Sequence, residues 1–338
     1  MLNLDNIQEH TALGLTDEQA IDMYRKMVLA RKIDDRMWAL NRQGRVPFVV
    51  SASGHEGTQV GAAFALDTSK DWSLPYYRDM AFVIAAGVSP TDIFLSLLAK
   101  ATDPASGGRQ MPGHFSEPDL NIFTHGSVIA TQFPHACGIA YHLQQSGSDA
   151  VVMAASGDGA TSEGDWHEAM NFASIKKLPI IFLIENNLYA ISTPSAEEIA
   201  GVISDRAQGY NMPGLNIDGN DIFAVYGTMQ EAVSRGRRGE GPTLIEANTY
   251  RYYAHASDDD DKLYRDPEEV ASWRRRDPIT RLEQYLIETR LLDEKTEQAI
   301  HDEVAEMVAR GLAEADEAPE LSDPFSHVYA KPIEPSEA

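Results

Sequence analysis

The chain has 338 residues, enough for one large α/β domain or two smaller ones with a substantial apolar core. Its formal net charge of −24 opposes binding to nucleic acids and to anionic membrane surfaces, which are themselves negative. Cys137 is the only cysteine and Met1 to Gly14 shows no basic segment followed by an apolar one, so we expect a cytoplasmic protein without internal disulfides, in which Cys137 is core filler.

A long helix is predicted near the N-terminus. Thr16 and Gln19 have the spacing of a capping box, and an apolar stripe from Met23 to Leu40 follows and stops near Gly44. We therefore expect residues 1–45 to form a helical arm.

Residues 46–290 are predicted to form one α/β domain. Helical segments alternate with short buried strands as far as Tyr250, a pattern typical of a doubly wound, mainly parallel sheet. The acidic run Asp258–Asp261 then lies in a polar loop. Four consecutive acids of an extended chain do not converge on one metal ion, so we expect a solvated, mobile loop there. Charged helical sequence after it predicts a C-terminal extension and tail over residues 291–338.

Turn residues end two apolar runs in the middle of the predicted sheet. Gly157-Asp158-Gly159 follows Val151–Ser156, and Asn186-Asn187 follows Ile180–Ile184. Two such runs around a helical stretch indicate a βαβ unit, whose parallel strands end at the same edge of a sheet. We therefore expect Asp158 and Asn187 to emerge side by side.

That pair suits a magnesium-bound diphosphate. Magnesium prefers octahedral oxygen coordination and usually takes one or two ligands from the protein. Glycines let the backbone approach a phosphate closely, and a helix capped by Ser162 with Asp165 would point its N-terminus at the anion. Taken singly, the triplet also fits an ordinary turn and the asparagines an ordinary loop. A dinucleotide-binding loop fits less well, because the spacing is G-x-G-x-x-x-x-G.

Several separated motifs together resemble one enzyme family: Gly157–Asp165 (GDGATSEGD), Glu185–Ser192 (ENNLYAIS) and Tyr250–His255 (YRYYAH). The chain resembles the alpha subunit of the thiamine-diphosphate-dependent 2-oxoacid dehydrogenases, first the branched-chain enzymes and then the pyruvate enzymes, from the N-terminal helix to about Tyr329. The resemblance implies the thiamine-diphosphate-binding α/β fold, with thiamine diphosphate and Mg²⁺ as cofactors.

The resemblance also implies roles for single residues. The magnesium ligands would be Asp158, Asn187 and the backbone carbonyl of Tyr189. Further cofactor contacts would come from Tyr77, Arg78, Ser127, Ile129, Gly157, Gly159, Ala160 and His255.

Four of these residues carry specific expectations. Tyr77 and Arg78 would contact the diphosphate, and an arginine fork pairs phosphate oxygens well; the alternative for Arg78 is a surface ion pair with Asp79. Ile129 would support the bent form of the cofactor, with Ser127 beside its aminopyrimidine ring.

His255 would be the catalytic histidine, because imidazole exchanges protons near neutral pH. The weaker candidate is His114, which lies in another loop segment that resembles the family.

Two positions depart from the family pattern. Ala256 stands where mitochondrial relatives carry a phosphorylated serine, which excludes that regulation in this chain. Glu185 stands where mammalian branched-chain relatives have an arginine that helps to hold the diphosphate, which would leave more of the anion binding to Arg78.

The implied activity is oxidative decarboxylation of a 2-oxoacid and transfer of the acyl group to the lipoyl group of a dihydrolipoyl acyltransferase. No convincing carboxylate for activating the aminopyrimidine is found in this sequence, and the family supplies a glutamate from a beta subunit in an α2β2 heterotetramer. We therefore expect activity only with a second polypeptide. Branched-chain substrates rank first, pyruvate second and acetoin third. A transketolase-like half enzyme and a non-catalytic binding or assembly module are the alternatives from other classes.

Overall fold

The structure, a computed structural model, describes residues 9–326. Its helices within that range are α1 Asp17–Arg42, α2 Glu56–Phe64, α3 Met80–Ala86, α4 Pro90–Leu97, α5 Gln132–Gln145, α6 Gly164–Lys176, α7 Ser195–Glu198, α8 Ile222–Arg237, α9 Pro267–Arg274, α10 Pro278–Glu288 and α11 Glu294–Glu317. The strands are β1 Trp72–Leu74, β2 Val152–Gly157, β3 Ile180–Asn186, β4 Tyr189–Ala190, β5 Thr193–Pro194, β6 Gly214–Asp218 and β7 Thr243–Asn248.

The main sheet has five parallel strands in the order β1-β2-β3-β7-β6. Gly157 pairs in register with Glu185 where β2 and β3 end, so the residues after both strands meet at one edge. The predicted βαβ unit is confirmed, with α6 between β2 and β3. A small antiparallel hairpin, β4–β5, folds back just beyond that edge.

Both faces of the sheet are covered, as a doubly wound fold requires. Along β3, Ile181 and Leu183 pack into the core formed with α1, α2, α3 and α8. The alternate residues Phe182 and Ile184 pack into the second core, which includes α5 and α6. The parallel α/β fold predicted from the apolar runs is therefore confirmed.

The N-terminal helix begins as predicted. Thr16 and Gln19 form a reciprocal capping box at the start of α1, and the helix ends just before Gly44, whose φ is 73°. The predicted cap of α6 is wrong: Glu163 occupies the N-cap without a side-chain bond, because Asp158–Ser162 forms a 3-10 turn that intervenes. The buried face of α6, with Trp166 and Met170, is as predicted.

The two helical extensions pack against the sheet domain. Residues of α1 and α11 belong to the same hydrophobic core as α2, α3 and the inner face of the sheet. The boundaries after residues 45 and 290 stay a prediction, and the tail predicted beyond Ser326, like residues 1–8, lies outside the described residues. Within residues 9–326, no helix is long and apolar enough to cross a membrane.

Candidate active site

A cavity of about 420 Å³ opens at the edge where β2 and β3 end. All eleven residues predicted to bind cofactor or metal lie on its wall, together with His114. They come from distant parts of the chain, namely Tyr77, Arg78, Ser127, Ile129, Gly157, Asp158, Gly159, Ala160, Asn187, Tyr189 and His255. The structure brings the predicted set together; the role of each member stays a prediction.

Asp158 and Asn187 lie beside each other, as their strand ends predict. Asp158 is buried, and its Oδ2 accepts a hydrogen bond from Ser195 Oγ at 2.7 Å. Burial raises the pKa of Asp158, while Ser195 and backbone amides act in the opposite direction. A divalent cation at this carboxylate would favour its ionised form.

The glycines of the motif allow close packing. A Cβ added to Gly159 would lie 2.8 Å from the Cβ of Ala190, so the hairpin β4–β5 excludes any side chain there. A Cβ on Gly157 would meet Asn187 Nδ2 and Tyr76 Cε2 at 3.8 Å and narrow the cavity. Gly159 therefore lets the hairpin pack against the motif, and Gly157 keeps open the space beside Asn187.

Arg78 is a buried cavity residue. Its Nη1 donates to the carbonyl oxygen of Ser51 at 2.6 Å, and its Nη2 donates to that of His255 at 3.2 Å. Among residues 9–326 its Nε has no hydrogen-bond partner, although it is buried. The alternative of a surface ion pair with Asp79 is wrong, because Arg78 is only 2% exposed and the Asp79 carboxylate instead accepts from the Tyr76 amide.

His255 is held neutral near physiological pH. Burial, and then the charges of Arg78 and Arg251, lower its pKa to about 4. Arg78 Nη2 lies 3.5 Å from His255 Nδ1, which favours the tautomer that carries its proton on Nε2. The backbone amide of His255 donates to Asp259 Oδ2 at 2.8 Å and fixes the loop.

The acidic run is partly the solvated loop that we expected, because Asp258 and Asp260 are exposed, but its other two acids have partners within the fold. Its mobility stays a prediction. Asp259 accepts from both the His255 amide and the Tyr264 hydroxyl, and Asp261 pairs with Arg265. Sequence alone gave no partner for these acids, because their partners depend on how the loop folds back.

Glu185 is not among the residues that line the cavity. It is fully buried behind the cavity wall, where its Oε2 accepts from His55 Nδ1, from Gln59 Nε2 at 3.1 Å and from the Tyr76 hydroxyl at 3.1 Å. Strand alternation explains this position, since Glu185 shares the face of Leu183, towards α2 and α3. That Glu185 leaves more of the anion binding to Arg78 stays a prediction.

A second carboxyl group shares this buried cluster. Burial and the adjacent Glu185 raise the pKa of Asp79 well above its ordinary value. Burial also opposes ionisation of Glu185, but the hydrogen bonds from its neighbours lower its pKa. Asp79 Oδ1 and Glu185 Oε1 otherwise have no partner among residues 9–326, so a proton held by Asp79 and shared with Glu185 satisfies both.

His114 also lines the cavity. His114 Nε2 lies 2.7 Å from Ser127 Oγ, and its Nδ1 lies 2.7 Å from the carbonyl of Met111. His125 lies behind it with ring centroids 5.0 Å apart, and burial followed by His114 lowers the pKa of His125 to about 4. Ser127 is thus held by His114.

Arg251, a residue to which we assigned no role, completes the wall. It is buried, donates to the carbonyl of Ile191 at 2.8 Å and to the Tyr264 hydroxyl at 3.0 Å, and so joins the two loops around the cavity. Burial and then Arg78 lower its pKa to about 10, which leaves it charged at neutral pH. Its place in the YRYYAH motif, beside the predicted histidine, is the signal that could have found it.

The residues fit a magnesium-bound diphosphate. One carboxylate, one amide oxygen and one backbone carbonyl are the hard oxygen donors that Mg²⁺ prefers. The Nε of Arg78, which has no partner in the described part of the chain, and the charge of Arg251 suit the anion, and the glycines leave room for it. Cys137 takes no part: it is buried on α5, and burial raises the pKa of its thiol to about 12.

Comparison with known proteins agrees with this chemistry. The family model described as "Dehydrogenase E1 component" matches residues 24–323. The chain belongs to the dehydrogenase E1 component family. Members of this E1 family depend on thiamine diphosphate.

Individual E1 relatives match nearly the whole chain. The 2-oxoisovalerate dehydrogenase subunit alpha of Bacillus subtilis (strain 168) is 51% identical over 325 residues, which cover 95% of this chain and 98% of that protein. The pyruvate dehydrogenase E1 component subunit alpha of Staphylococcus epidermidis (strain ATCC 12228 / FDA PCI 1200) is 37% identical, over 92% of this chain and 81% of that protein. The corresponding Staphylococcus aureus (strain MW2) protein is 36% identical over the same shares. The family resemblance inferred from the motifs is confirmed.

Proposed function

We propose that this E1 chain is the alpha subunit of a cytoplasmic branched-chain 2-oxoacid dehydrogenase. The reaction is oxidative decarboxylation of the 2-oxoacid with transfer of the acyl group to the lipoyl group of a dihydrolipoyl acyltransferase. The observation that carries the proposal is the convergence of hard oxygen donors, two buried arginines and a neutral histidine on one cavity.

Thiamine diphosphate, when bound, supplies the electron sink on which a 2-oxoacid loses carbon dioxide. This chain holds its anionic end: Asp158, Asn187 and the Tyr189 carbonyl would bind Mg²⁺, and Arg78 with Tyr77 would contact the diphosphate. Ser195 orients Asp158, since a hydrogen bond from outside the metal's ligand set fixes the direction of the ligand carboxylate.

His255 contributes at the reacting end. With its proton on Nε2 and Nδ1 turned towards Arg78, the neutral ring can donate a hydrogen bond into the cavity. Arg78 and Asp259 fix the backbone of His255, Arg78 at its carbonyl oxygen and Asp259 at its amide, and so position the residue that carries the ring. The segment after β1, which carries Arg78, and the loop after β7, which carries His255, thus position both the anion site and the catalytic histidine.

The other half of the site belongs to a beta subunit in this proposal. The chain offers no carboxylate assigned to the aminopyrimidine, and the names of its relatives describe alpha subunits. An α2β2 heterotetramer would bring the missing glutamate to the cavity. We therefore expect the chain alone to have negligible turnover.

Branched-chain substrates rank above pyruvate, because the 2-oxoisovalerate relative is 51% identical and the pyruvate relative 37%. Phe48, Val50 and Met111 give the cavity wall apolar surface that suits an aliphatic substrate chain. One or two methylenes in such a pocket change specificity by roughly 10- to 200-fold.

The test is turnover of the co-purified alpha and beta subunits with a lipoylated acyltransferase domain. We expect kcat/KM for 3-methyl-2-oxobutanoate to exceed that for pyruvate by about tenfold or more. A similar preference for pyruvate would reverse the substrate ranking. Full turnover by the chain without a second polypeptide would refute the alpha-subunit proposal, and better transfer to an aldehyde sugar phosphate than to lipoyl would favour ketol transfer.

A further inference from the structure

Glu198 is a carboxylate in the cavity wall to which the proposed function gives no role. It lines the cavity together with Asp158 and Gly159, and its Oε1 lies 3.6 Å from the position of a Cβ on Gly159. Its Oε2 is buried and has no hydrogen-bond partner among residues 9–326. A buried acceptor without a partner is costly unless something outside the chain satisfies it.

The short helix α7 places this carboxylate near the metal site. Ser195 and Glu198 stand three residues apart on α7 and so lie on one face of it. Ser195 Oγ donates to Asp158 Oδ2 at 2.7 Å, which docks that face against Asp158. Burial raises the pKa of Glu198, a hydrogen bond from the Ser162 side chain opposes this, and the charge of Asp158 raises it further, as expected for neighbouring carboxyl groups. Ser162 leaves Oε2 without a partner among residues 9–326.

The nearby guanidinium of Arg206 does not supply a hydrogen bond to the Glu198 carboxylate. Arg206 Nη1 donates instead to the carbonyl and hydroxyl oxygens of Thr161, at 3.0 and 3.3 Å. A second carboxylate close to an anion-binding site would repel the diphosphate unless donors separate the two charges. Metal-bound water molecules are such donors, because Mg²⁺ dehydrates reluctantly and usually keeps several waters.

We propose that Glu198 accepts hydrogen bonds from the water molecules of the Mg²⁺ ion that Asp158 and Asn187 hold, and so acts as an outer-sphere positioning residue. The inference rests on the proposed function, because it presumes the magnesium-diphosphate site. The single turn of α7 then acts on the metal site twice: Ser195 orients the ligand carboxylate of Asp158, and Glu198 orients the metal-bound waters. Loss of such an outer partner typically weakens metal binding about 10- to 100-fold.

The test uses the chain co-purified with its beta subunit and measures binding rather than turnover. Mg²⁺ is titrated at fixed thiamine diphosphate, with cofactor binding followed by calorimetry, for wild type, Glu198→Ala and Glu198→Gln. The control is Glu197→Ala, which removes an exposed carboxylate from the same helix. We expect the half-saturating Mg²⁺ concentration to rise about tenfold in Glu198→Ala and less in Glu198→Gln, which keeps an acceptor oxygen.

Saturating Mg²⁺ should restore near-wild-type cofactor affinity in both Glu198 variants, with the melting temperature of the unliganded protein unchanged. Equal shifts in Glu197→Ala and Glu198→Ala would reduce the effect to general surface charge and overturn the inference. So would a cofactor affinity that stays low at saturating Mg²⁺, or no shift in either Glu198 variant. Each of these outcomes leaves the proposed function standing if wild type binds the cofactor in a Mg²⁺-dependent manner. Wild type that binds it equally well without a divalent cation would refute both.

Discussion

The guanidinium of Arg78 and the backbone of His255 are joined directly at the cavity wall, where Arg78 Nη2 donates to the His255 carbonyl oxygen at 3.2 Å. The contact ties the segment after β1 to the loop after β7, which are 177 residues apart in the chain. In the proposed function, anion binding and the position of the catalytic histidine therefore both depend on this one side chain.

Replacing Arg78 with glutamine should weaken thiamine diphosphate binding by roughly 10- to 100-fold, because hydrogen bonds to a charged group are worth about 1.5–3 kcal/mol. Calorimetric titration of the co-purified subunits at saturating Mg²⁺ measures this affinity. Arg42→Gln, which changes an exposed arginine of α1, is the control and should bind normally. Equal affinities of the two variants would remove Arg78 from the diphosphate site.

The same variant should raise the pKa of His255. Its value of about 4 reflects burial first and the positive charge of Arg78 second, so removing that charge shifts the pKa towards the ordinary 6.5. Burial and the charge of Arg251 still lower the pKa of His255 in the variant, so the pKa returns only part of the way. Histidine NMR with ¹³C-labelled imidazole, assigned with His255→Asn, follows the titration. A lower or unchanged pKa would show that the charge of Arg78 does not hold His255 neutral.

Acid should destabilise the protein partly through His125. Its folded pKa of about 4 lies below the ordinary 6.5, so as pH falls from 6.5 to 4 the unfolded chain takes up the proton first and stability is lost. Replacing His125 with phenylalanine should remove about 2 kcal/mol of the loss between neutral pH and pH 5. The pKa of buried Asp34, raised to about 6, works in the opposite direction but is common to both proteins.

Chemical denaturation at several pH values measures this difference. His142→Phe, on the exposed side of α5, provides the same substitution outside the core. Parallel pH dependences for wild type and His125→Phe would show that the buried ring does not carry the effect.

The framework of the site could be predicted because it depends on local sequence. Apolar runs of strand length that end in Gly157 and Asn187 place both residues at one edge of a parallel sheet, whatever the loops do. The motif resemblance then added Arg78 and His255 to the predicted site. No hydrophobic periodicity could have connected these distant residues with Gly157 and Asn187.

Residues that act through a folded-back loop were missed. Ser195 reaches Asp158 only because β4 and β5 form a hairpin, and Arg251 spans two loops whose paths depend on tertiary packing. Glu185 was noted only as a departure from an arginine of some relatives, and the resemblance did not show that strand alternation turns it behind the cavity wall, towards His55. Its partner His55 lies 130 residues earlier, so no local pattern connects them.

Gly54 should be among the least replaceable glycines. Its φ is 100°, and an added Cβ would lie 2.0 Å from the carbonyl oxygen of Tyr250, which is backbone and cannot move aside. Gly54→Ala should lower the free energy of unfolding by roughly 4 kcal/mol or more. Gly14→Ala, with φ 79° but nothing within 4 Å, isolates the conformational strain and should cost only about 1 kcal/mol. Equal losses in urea denaturation would argue against the steric clash.

Glu185→Ala should destabilise the fold by about 3–5 kcal/mol, because it leaves buried polar partners, His55 above all, without their acceptor. The double variant Glu185→Leu with His55→Phe removes both members of the pair and should recover part of that loss, since replacing both partners of a buried hydrogen bond by apolar groups can be nearly neutral. Urea denaturation supplies the free energies, and Glu240→Ala, at an exposed ion pair with Arg238, should change little. The double variant could instead lose as much free energy of unfolding as Glu185→Leu and His55→Phe lose separately and in sum. Glu185 and His55 would then not be energetically coupled. In that case the buried cluster would not be what holds β3 against α2 and α3 behind the cavity.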